Sequence, residues 1–234
     1  MIFRIGIENN NDGRTIAWAL EHPGCFAYGQ DGQEAQRNFP QAARSYVAWI
    51  ARHGGSWVED NGVQIVLEEI FDDYFINNAF DRLEPGKNTT MVEAFFLHDW
   101  KPLSATEVER ALKLLSWSRA ELLDLVKGLT AEKLHQRYPN ERWSINGILR
   151  HIGAAEWWYQ ERIGFPYPEM EDHLPADPFE QLALVRDHFN TLLPELEGMN
   201  KVIGLEGEIW SPRKVLRRAA WHERDHTEHI RKLV

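Results

Sequence analysis

The sequence has a single cysteine among its 234 residues and no hydrophobic run long enough to cross a membrane. Because only Cys25 is present, no internal disulfide can form, and an intracellular location is the default. A membrane span needs about 18 consecutive apolar residues, which no segment provides. The N-terminus also lacks the basic and then apolar layout of a signal peptide. We therefore expect a soluble, cytoplasmic protein that does not bind membranes.

Positive charge is scarce in the first half of the chain. Residues 1–100 hold 7 Lys/Arg and 15 Asp/Glu, a net charge of −8, whereas residues 101–234 hold 19 and 21, a net charge of −2. An acidic surface repels phosphate backbones, so we expect no specific nucleic-acid binding. Basic side chains do gather at residues 213–218, and we interpret that cluster as the solvated face of one helix.

Turns and short alternating segments mark the first hundred residues as an α+β domain. A helix is predicted at residues 31–52, where apolar side chains recur at helical spacing. The predicted strands cover residues 2–7, 15–20, 25–28, 63–70 and 92–96. Since three strands precede the helix and others follow it, the order β-β-β-α-β indicates an α+β fold.

Helix start and stop signals divide the second half into four long segments. Each begins at a serine or aspartate, and the first has the capping box formed by Ser104 and Glu107. The four predicted helices cover residues 104–128, 144–164, 177–198 and 211 almost to 234. Four long helices are typical of a four-helix bundle. We predict an α+β domain at residues 1–100 followed by an all-α bundle at residues 104–234.

Three histidines lie on the face of the last predicted helix that should be buried. His222, His226 and His229 share a heptad-like stripe with apolar residues. A buried imidazole without a partner costs about 1–3 kcal/mol, so these side chains need partners. Two imidazoles at positions i and i+4 lie one turn apart and can chelate one ion. His222 and His226 are therefore predicted to be metal ligands.

The predicted third ligand is His151, which lies 7 residues into the second helix of this half. His226 and His222 lie 8 and 12 residues from the end of the chain, so all three come level if the two helices run antiparallel. Core histidines bonded to carboxylates or water are the alternative, but the matching depth favours a metal. His229 lies about 10.5 Å from His222 along the axis, too far to share its ion, so its role stays open between an outer partner and a structural residue.

The string from His222 to His226, H-E-R-D-H, also matches the H-E-x-x-H motif of zinc proteases. Such proteases usually take a third ligand from downstream, and only eight residues follow His226, so the protease interpretation is not favoured.

The nearby acidic residues Glu156, Glu223 and Asp225 are candidate outer partners of the imidazoles. We interpret them instead as solvated helix charges.

Three motifs in the second half occur in the order and spacing of a known family. They are W-S-I at residues 143–145, L-R-H-I at residues 149–152 and W-H-x-x-x-H-x-x-H-I at residues 221–230. In these motifs the chain from 104 to 234 resembles the DinB/YfiT-like family of metalloenzymes. The resemblance implies an up-down-down-up bundle and a metal held by one histidine of the second helix and two of the fourth. It also implies a low-molecular-weight thiol as a cofactor, since members include thiol-dependent transferases and isomerases.

The first half resembles a HicB-type antitoxin domain. The residues that carry this resemblance are Pro23-Gly24-Cys25, Gly29 and Glu34-Ala35. Such domains often carry a DNA-binding tail, but here the predicted metal-binding bundle occupies that place. The resemblance therefore implies an interaction or substrate-shaping module.

These observations leave two functions open. In the first, three neutral imidazoles leave metal positions for water or a thiolate, and the protein is a hydrolase or a low-molecular-weight-thiol transferase acting on a small molecule. In the second, it is a non-catalytic interaction module of the antitoxin or stress type with a structural metal. Zinc and nickel both suit imidazole ligands, so the sequence does not choose between them. The oligomeric state, including a homodimer, also stays open.

Overall fold

The computed structural model describes residues 1–59 and 62–234. The chain divides into two compact units, of which the first comprises Met1–Lys101 with Val202–Trp210 and the second comprises Pro102–Lys201 with Ser211–Val234. The domains predicted at residues 1–100 and 104–234 differ from these units in one respect, since Val202–Trp210 groups with the first unit.

The first unit is a mixed α+β structure. Its elements are β1 Ile2–Asn11, β2 Arg14–Ala19, β3 Phe26–Gly29, α1 Gly32–Arg52, β4 Gln64–Asp72, β5 Tyr74–Ile76, β6 Arg82–Leu83 and β7 Thr90–Val92. The main sheet has the order β3-β2-β1-β4, with β1 antiparallel to β2 and parallel to β4. A smaller sheet has the order β6-β5-β7. The first five elements follow the predicted β-β-β-α-β order.

Helix α1 begins where its capping residue predicts. The Asp31 side chain accepts a hydrogen bond of 2.8 Å from the Glu34 backbone N–H. The buried face of the helix packs on the main sheet, where Phe39 meets Phe3 with ring centroids 5.7 Å apart. Gly29 allows the close approach of β3 to this helix, because a Cβ there would lie 2.2 Å from the backbone nitrogen of Ala35.

The second unit contains four long helices and one short one. They are α2 Ala105–Val126, α3 Ala131–His135, α4 Ile145–Glu161, α5 Pro178–Glu195 and α6 Pro212–Arg231. The predicted caps of the long helices are all present, since the side chains of four residues accept hydrogen bonds from first-turn backbone N–H groups: Ser104, Ser144, Asp177 and Ser211. No described helix is long and apolar enough to cross a membrane.

Several short elements differ from the sequence prediction. The strand predicted at residues 92–96 is wrong beyond Val92, since the chain continues into a 3-10 turn at Leu97–Trp100. The second half is not all-α, because β8 Ile203–Leu205 and β9 Glu208–Trp210 form a hairpin. Its two-residue turn has positive φ at both positions, 52° and 87°, which suits a hairpin. Strands of two or three residues are too short to show a periodic pattern, and β5, β6 and this hairpin were therefore missed.

Contacts at matching depth show how the long helices run. Glu107 near the start of α2 binds Arg213 near the start of α6, and the end of α2 shares a core with Ile230 near the end of α6. The same core contains Ile145 and Ile148 from the start of α4. Helices α2 and α6 therefore run in the same direction, and α4 runs against them. The up-down-down-up topology, which also specifies the direction of α5, stays a prediction.

The prediction of a solvated basic face on α6 is wrong. The four basic residues are at most 7% exposed: Arg213, Lys214, Arg217 and Arg218. Arg213 binds the carboxylate of Glu107 and the backbone carbonyl of Pro102, and the Arg218 guanidinium lies over the ring of Trp221. Sequence spacing marks such a run as one helical surface, but it does not show which surface becomes buried.

Candidate metal centre

Three imidazoles from two helices converge in the second unit. His151 lies on α4, and His222 and His226 lie one turn apart on α6. The Nε2 atoms of His151 and His222 are 3.0 Å apart, and those of His222 and His226 are 3.1 Å apart. The structure thus brings together the three histidines that the sequence predicts as ligands.

The spacing of these nitrogens fits a divalent metal ion. Imidazole nitrogens bound at 2.0–2.1 Å to a tetrahedral ion lie about 3.3 Å apart, close to the observed separations. All three rings point the same nitrogen, Nε2, towards one another, which leaves each Nδ1 for an outer partner. A neutral imidazole with its proton on Nδ1 directs the Nε2 lone pair into this space, as a metal ligand must.

The surroundings of His222 and His151 favour the neutral form of both imidazoles. Burial lowers the pKa of His222 well below its ordinary value, and the charges of His226, His151 and Arg218 lower that pKa further. Burial also lowers the pKa of His151, helped by the nearby charge of Arg142. Because a metal ion binds the unprotonated ring, a lowered pKa favours binding at neutral pH.

An aromatic stack holds the ring of His151. The indole of Trp143 stacks on it with centroids 4.6 Å apart and an interplanar angle of 30°. The guanidinium of Arg142 lies 4.4 Å from the centroid of that indole. Both residues belong to the segment just before α4, so this segment restricts the orientation of one predicted ligand. The W-S-I motif contains Trp143, but its spacing alone does not reveal this stacking role.

His229 lies outside the converging group. Its Nε2 is 2.8 Å from Glu141 Oε2, and its ring centroid is 6.1 Å from that of His226. This position agrees with the expectation that His229 does not share an ion with His222. Its imidazole is held by a carboxylate from the segment preceding α4.

The interpretation of Glu156 and Glu223 as solvated charges is wrong. They are 3% and 1% exposed, and both bind Arg119 and Arg186. Burial raises the pKa of Glu223, but the charges of the two arginines outweigh it and lower that pKa overall. Since Glu223 is directed at arginines, the H-E-x-x-H string does not place its glutamate as the base of a zinc protease. We call the four residues Arg119, Glu156, Arg186 and Glu223 the charged tetrad.

A cavity of about 430 Å³ adjoins the predicted metal centre. One wall is a face of α4, where residues at positions i, i+3, i+4 and i+7 share the lining: Gly147, Arg150, His151 and Ala154. Trp143, Leu174 and Gln181 complete much of the rest, and Glu171 and Asp172 add negative charge. Its volume is in the range of small-molecule sites. The sequence did not predict this cavity, although Gly147 and Ala154, two small residues at helical spacing from His151, were a signal for it.

The structure also allows comparison with known proteins. No curated protein matches the chain. YfiT from Bacillus subtilis, described as a probable metal-dependent hydrolase with an unusual four-helix bundle topology, is similar over 56% of this chain and 87% of its own. The two are 20% identical, with a TM-score of 0.43.

The sequence profile of the DinB superfamily matches residues 114–230. This segment is half of the chain and contains the three converging histidines, the charged tetrad and the cavity. The match does not extend to residues 1–100, so the resemblance of that region to HicB-type domains stays a prediction. On the evidence of this match, the chain belongs to the DinB superfamily.

Proposed function

We propose that this protein is a divalent-metal-dependent enzyme whose metal is held by His151, His222 and His226. The observation that supports this most directly is the convergence of three Nε2 atoms, with separations of 3.0 and 3.1 Å. Metal binding requires three lone pairs directed at one point, and neutral imidazoles in this arrangement provide them. The substrate is a small molecule, and the reaction is hydrolysis or transfer of a low-molecular-weight thiol.

Different residues of the chain have different roles at this site. A divalent ion bound there would supply Lewis-acid chemistry and would lower the pKa of a water or thiol ligand. The buried His222 fixes the inner side of the site, while His151 borders the cavity. Arg150 lines the same cavity, donates one hydrogen bond of 3.0 Å to the Ala176 carbonyl and offers further N–H groups to a negatively charged substrate group.

Exposure of the predicted ligands favours an enzyme over a structural clamp. His151 and His226 are only half-buried, and a cavity large enough for a small molecule adjoins His151. Structural metal sites are closed by protein ligands, whereas catalytic sites keep an open position. Three histidines provide three ligands, which leaves a tetrahedral ion one position for water or substrate.

Metal content of alanine variants tests the ligand set. Replacing His151, His222 or His226 with alanine should abolish stoichiometric binding of zinc or nickel, measured by elemental analysis of the dialysed full-length protein. His229→Ala should reduce binding only partly, because its imidazole lies outside the converging group. His173→Ala is the matched control, since that side chain is 57% exposed and should not matter. Full occupancy in His222→Ala would contradict the assignment.

Activity screening separates the two reaction classes. The metal-loaded protein would be assayed on small esters and amides, and on small electrophiles together with cysteine or glutathione. Hydrolysis predicts turnover without an added thiol, whereas thiol transfer predicts a rate that rises with thiol concentration. In both cases activity should disappear in His222→Ala. Activity that persists in that variant would exclude the proposed site as its source.

For the first unit we propose an interaction or substrate-shaping role. Its acidic composition and its resemblance to HicB-type domains support this role. A substrate-shaping role predicts that residues 104–234 expressed alone keep metal but lose kcat/KM for the substrate found by screening. Unchanged kcat/KM in a folded fragment would argue that the first unit serves another purpose.

A further inference from the structure

The charged tetrad connects all four long helices of the second unit. Each of these helices contributes one member: Arg119 from α2, Glu156 from α4, Arg186 from α5 and Glu223 from α6. None of the four is more than 8% exposed. Two positive and two negative charges cancel, so the group is neutral as a whole.

Every carboxylate in the tetrad is bound by both arginines. Arg119 donates to Glu223 at 2.7 Å and to Glu156 at 2.8 Å. Arg186 donates to Glu156 at 2.6 and 2.8 Å and to Glu223 at 3.1 Å. The arginines also donate to the backbone carbonyls of Leu182 and Leu115 on the facing helices. A guanidinium has a rigid planar fork of donors, so this network admits few relative positions of the helices.

Stability alone is a weak reason for such a group. Removing charges from water costs free energy, and replacing a buried ion network by apolar residues of similar size is often neutral or stabilising. Apolar side chains can slide past one another at little cost, whereas a bidentate charge network requires one register. The best-supported use of a buried polar group is therefore to fix register.

Two members of the tetrad, Glu223 and Glu156, lie close in sequence to predicted metal ligands. Glu223 directly follows His222 on α6, so the two side chains differ by about 100° around the helix and 1.5 Å along it. Glu156 lies five residues after His151 on α4, about 7.5 Å along the axis. Fixing these two glutamates thus fixes the rotation and height of the two helices that bring His151 and His222 within 3.0 Å of each other.

We propose that the charged tetrad positions the metal centre, so that Glu223 and Glu156 act through His222 and His151 as positioning residues. The proposal rests on the proposed metal-dependent function. It assigns to the glutamate of the H-E-x-x-H string a task other than proton transfer. It also gives a reason for four buried charges that an apolar core would not need. Metal sites require their ligands to be held within about 0.5 Å of the productive geometry, and the tetrad supplies this constraint.

An apolar replacement of the tetrad tests this role. The full-length quadruple variant Arg119→Met, Glu156→Leu, Arg186→Met and Glu223→Leu should stay helical by circular dichroism and melt cooperatively. Its affinity for cobalt(II), measured by titration, should fall 10–100-fold, the range seen when groups that orient metal ligands are removed. The visible absorption of bound cobalt(II), which reports coordination geometry, should also change. A core that serves stability alone would alter neither readout.

Glu107→Gln is the matched control. It breaks another Arg–Glu pair between α2 and α6, but Arg213 lies nine residues before His222, about 13.5 Å along the helix. This variant should bind cobalt(II) like the wild type, even where its melting temperature falls. If the quadruple variant does not fold, Glu223→Gln provides the same readout with one isosteric change.

The outcomes separate the two proposals. Weaker cobalt(II) binding with a changed spectrum in a folded tetrad variant supports positioning, provided that Glu107→Gln matches the wild type. Wild-type affinity and spectrum in the folded quadruple variant, or in Glu223→Gln if the quadruple variant fails to fold, would overturn it while leaving the metal function intact. A wild-type protein that binds no divalent metal would overturn the metal function itself, and positioning with it.

Discussion

At the scale of single residues, the converging histidines differ in how they are held. His222 is buried, and its neighbour Glu223 is bound by two arginines. His151 is only half-buried and is held by the stacked indole of Trp143. A half-exposed imidazole depends on such a contact, since its χ angles are otherwise free to change. The orientation of His151 is therefore the more sensitive to substitution of a neighbour.

Removing the stack should weaken metal binding. Trp143→Ala should lower the affinity for zinc about 10-fold, because the ring of His151 loses the surface that orients it. Trp143→Phe keeps an aromatic face and should bind within a few-fold of the wild type. Competition titration against a chelating dye measures both affinities. Equal loss in the two variants would mean that bulk, rather than stacking, is what matters at this position.

At the scale of elements, the helices are fixed at their ends by caps and ion pairs. The start of α2 has a capping box in which Ser104 and Glu107 bond to each other's backbone N–H groups. Glu107 also binds Arg213 of α6. The same carboxylate therefore caps α2 and forms an ion pair between α2 and α6. Partial burial raises the pKa of Glu107, but hydrogen bonds from Arg213 and Ser104 outweigh it and lower that pKa to about 2.

The lowered pKa of Glu107 predicts a pH-dependent contribution to stability. Because its folded pKa of about 2 lies below the ordinary 4.5, the contribution is present above pH 4.5 and is lost as the pH falls towards 2. Wild type should therefore exceed Glu107→Gln in free energy of unfolding at neutral pH, by on the order of 1 kcal/mol for a side chain that is 30% exposed. Urea titrations between pH 2 and 7 should show the difference shrinking over that window. A difference independent of pH would mean that the carboxylate does not contribute through its charge.

At the scale of the whole molecule, the distribution of charge argues against a nucleic-acid partner. Residues 1–100 carry a net charge of −8. The basic cluster at residues 213–218 is buried, so its four side chains cannot reach a phosphate backbone. Each phosphate contact adds about 0.9 to the salt dependence of binding, and tight specific complexes use several. Burial of this cluster strengthens an expectation that first rested on composition.

The protein should not bind DNA specifically at physiological salt. A gel-shift experiment with DNA from its own promoter, and with a scrambled duplex as control, should show no difference between the two. The reason is the acidic first unit together with the burial of the basic cluster. Submicromolar binding that prefers the promoter would overturn this expectation and revive the antitoxin interpretation of the first half.

The sequence by itself determined the long helices and two of the three converging histidines. Capping residues act through hydrogen bonds within four positions, and the spacing of His222 and His226 places them one turn apart in any α-helix. The place of His151 required one more step, an antiparallel pairing of two helices, which depth along the chain and family resemblance both suggested.

Only the tertiary structure determined which of the charged side chains are buried. Glu156, Glu223 and the basic cluster resemble solvated helix charges in sequence, because each charge alone would be costly to bury. Their burial depends on distant partners, such as Arg119 for Glu223, which is 104 residues away, and no local pattern reveals such a pairing. The cavity beside His151 has the same origin, since packing between distant segments creates it.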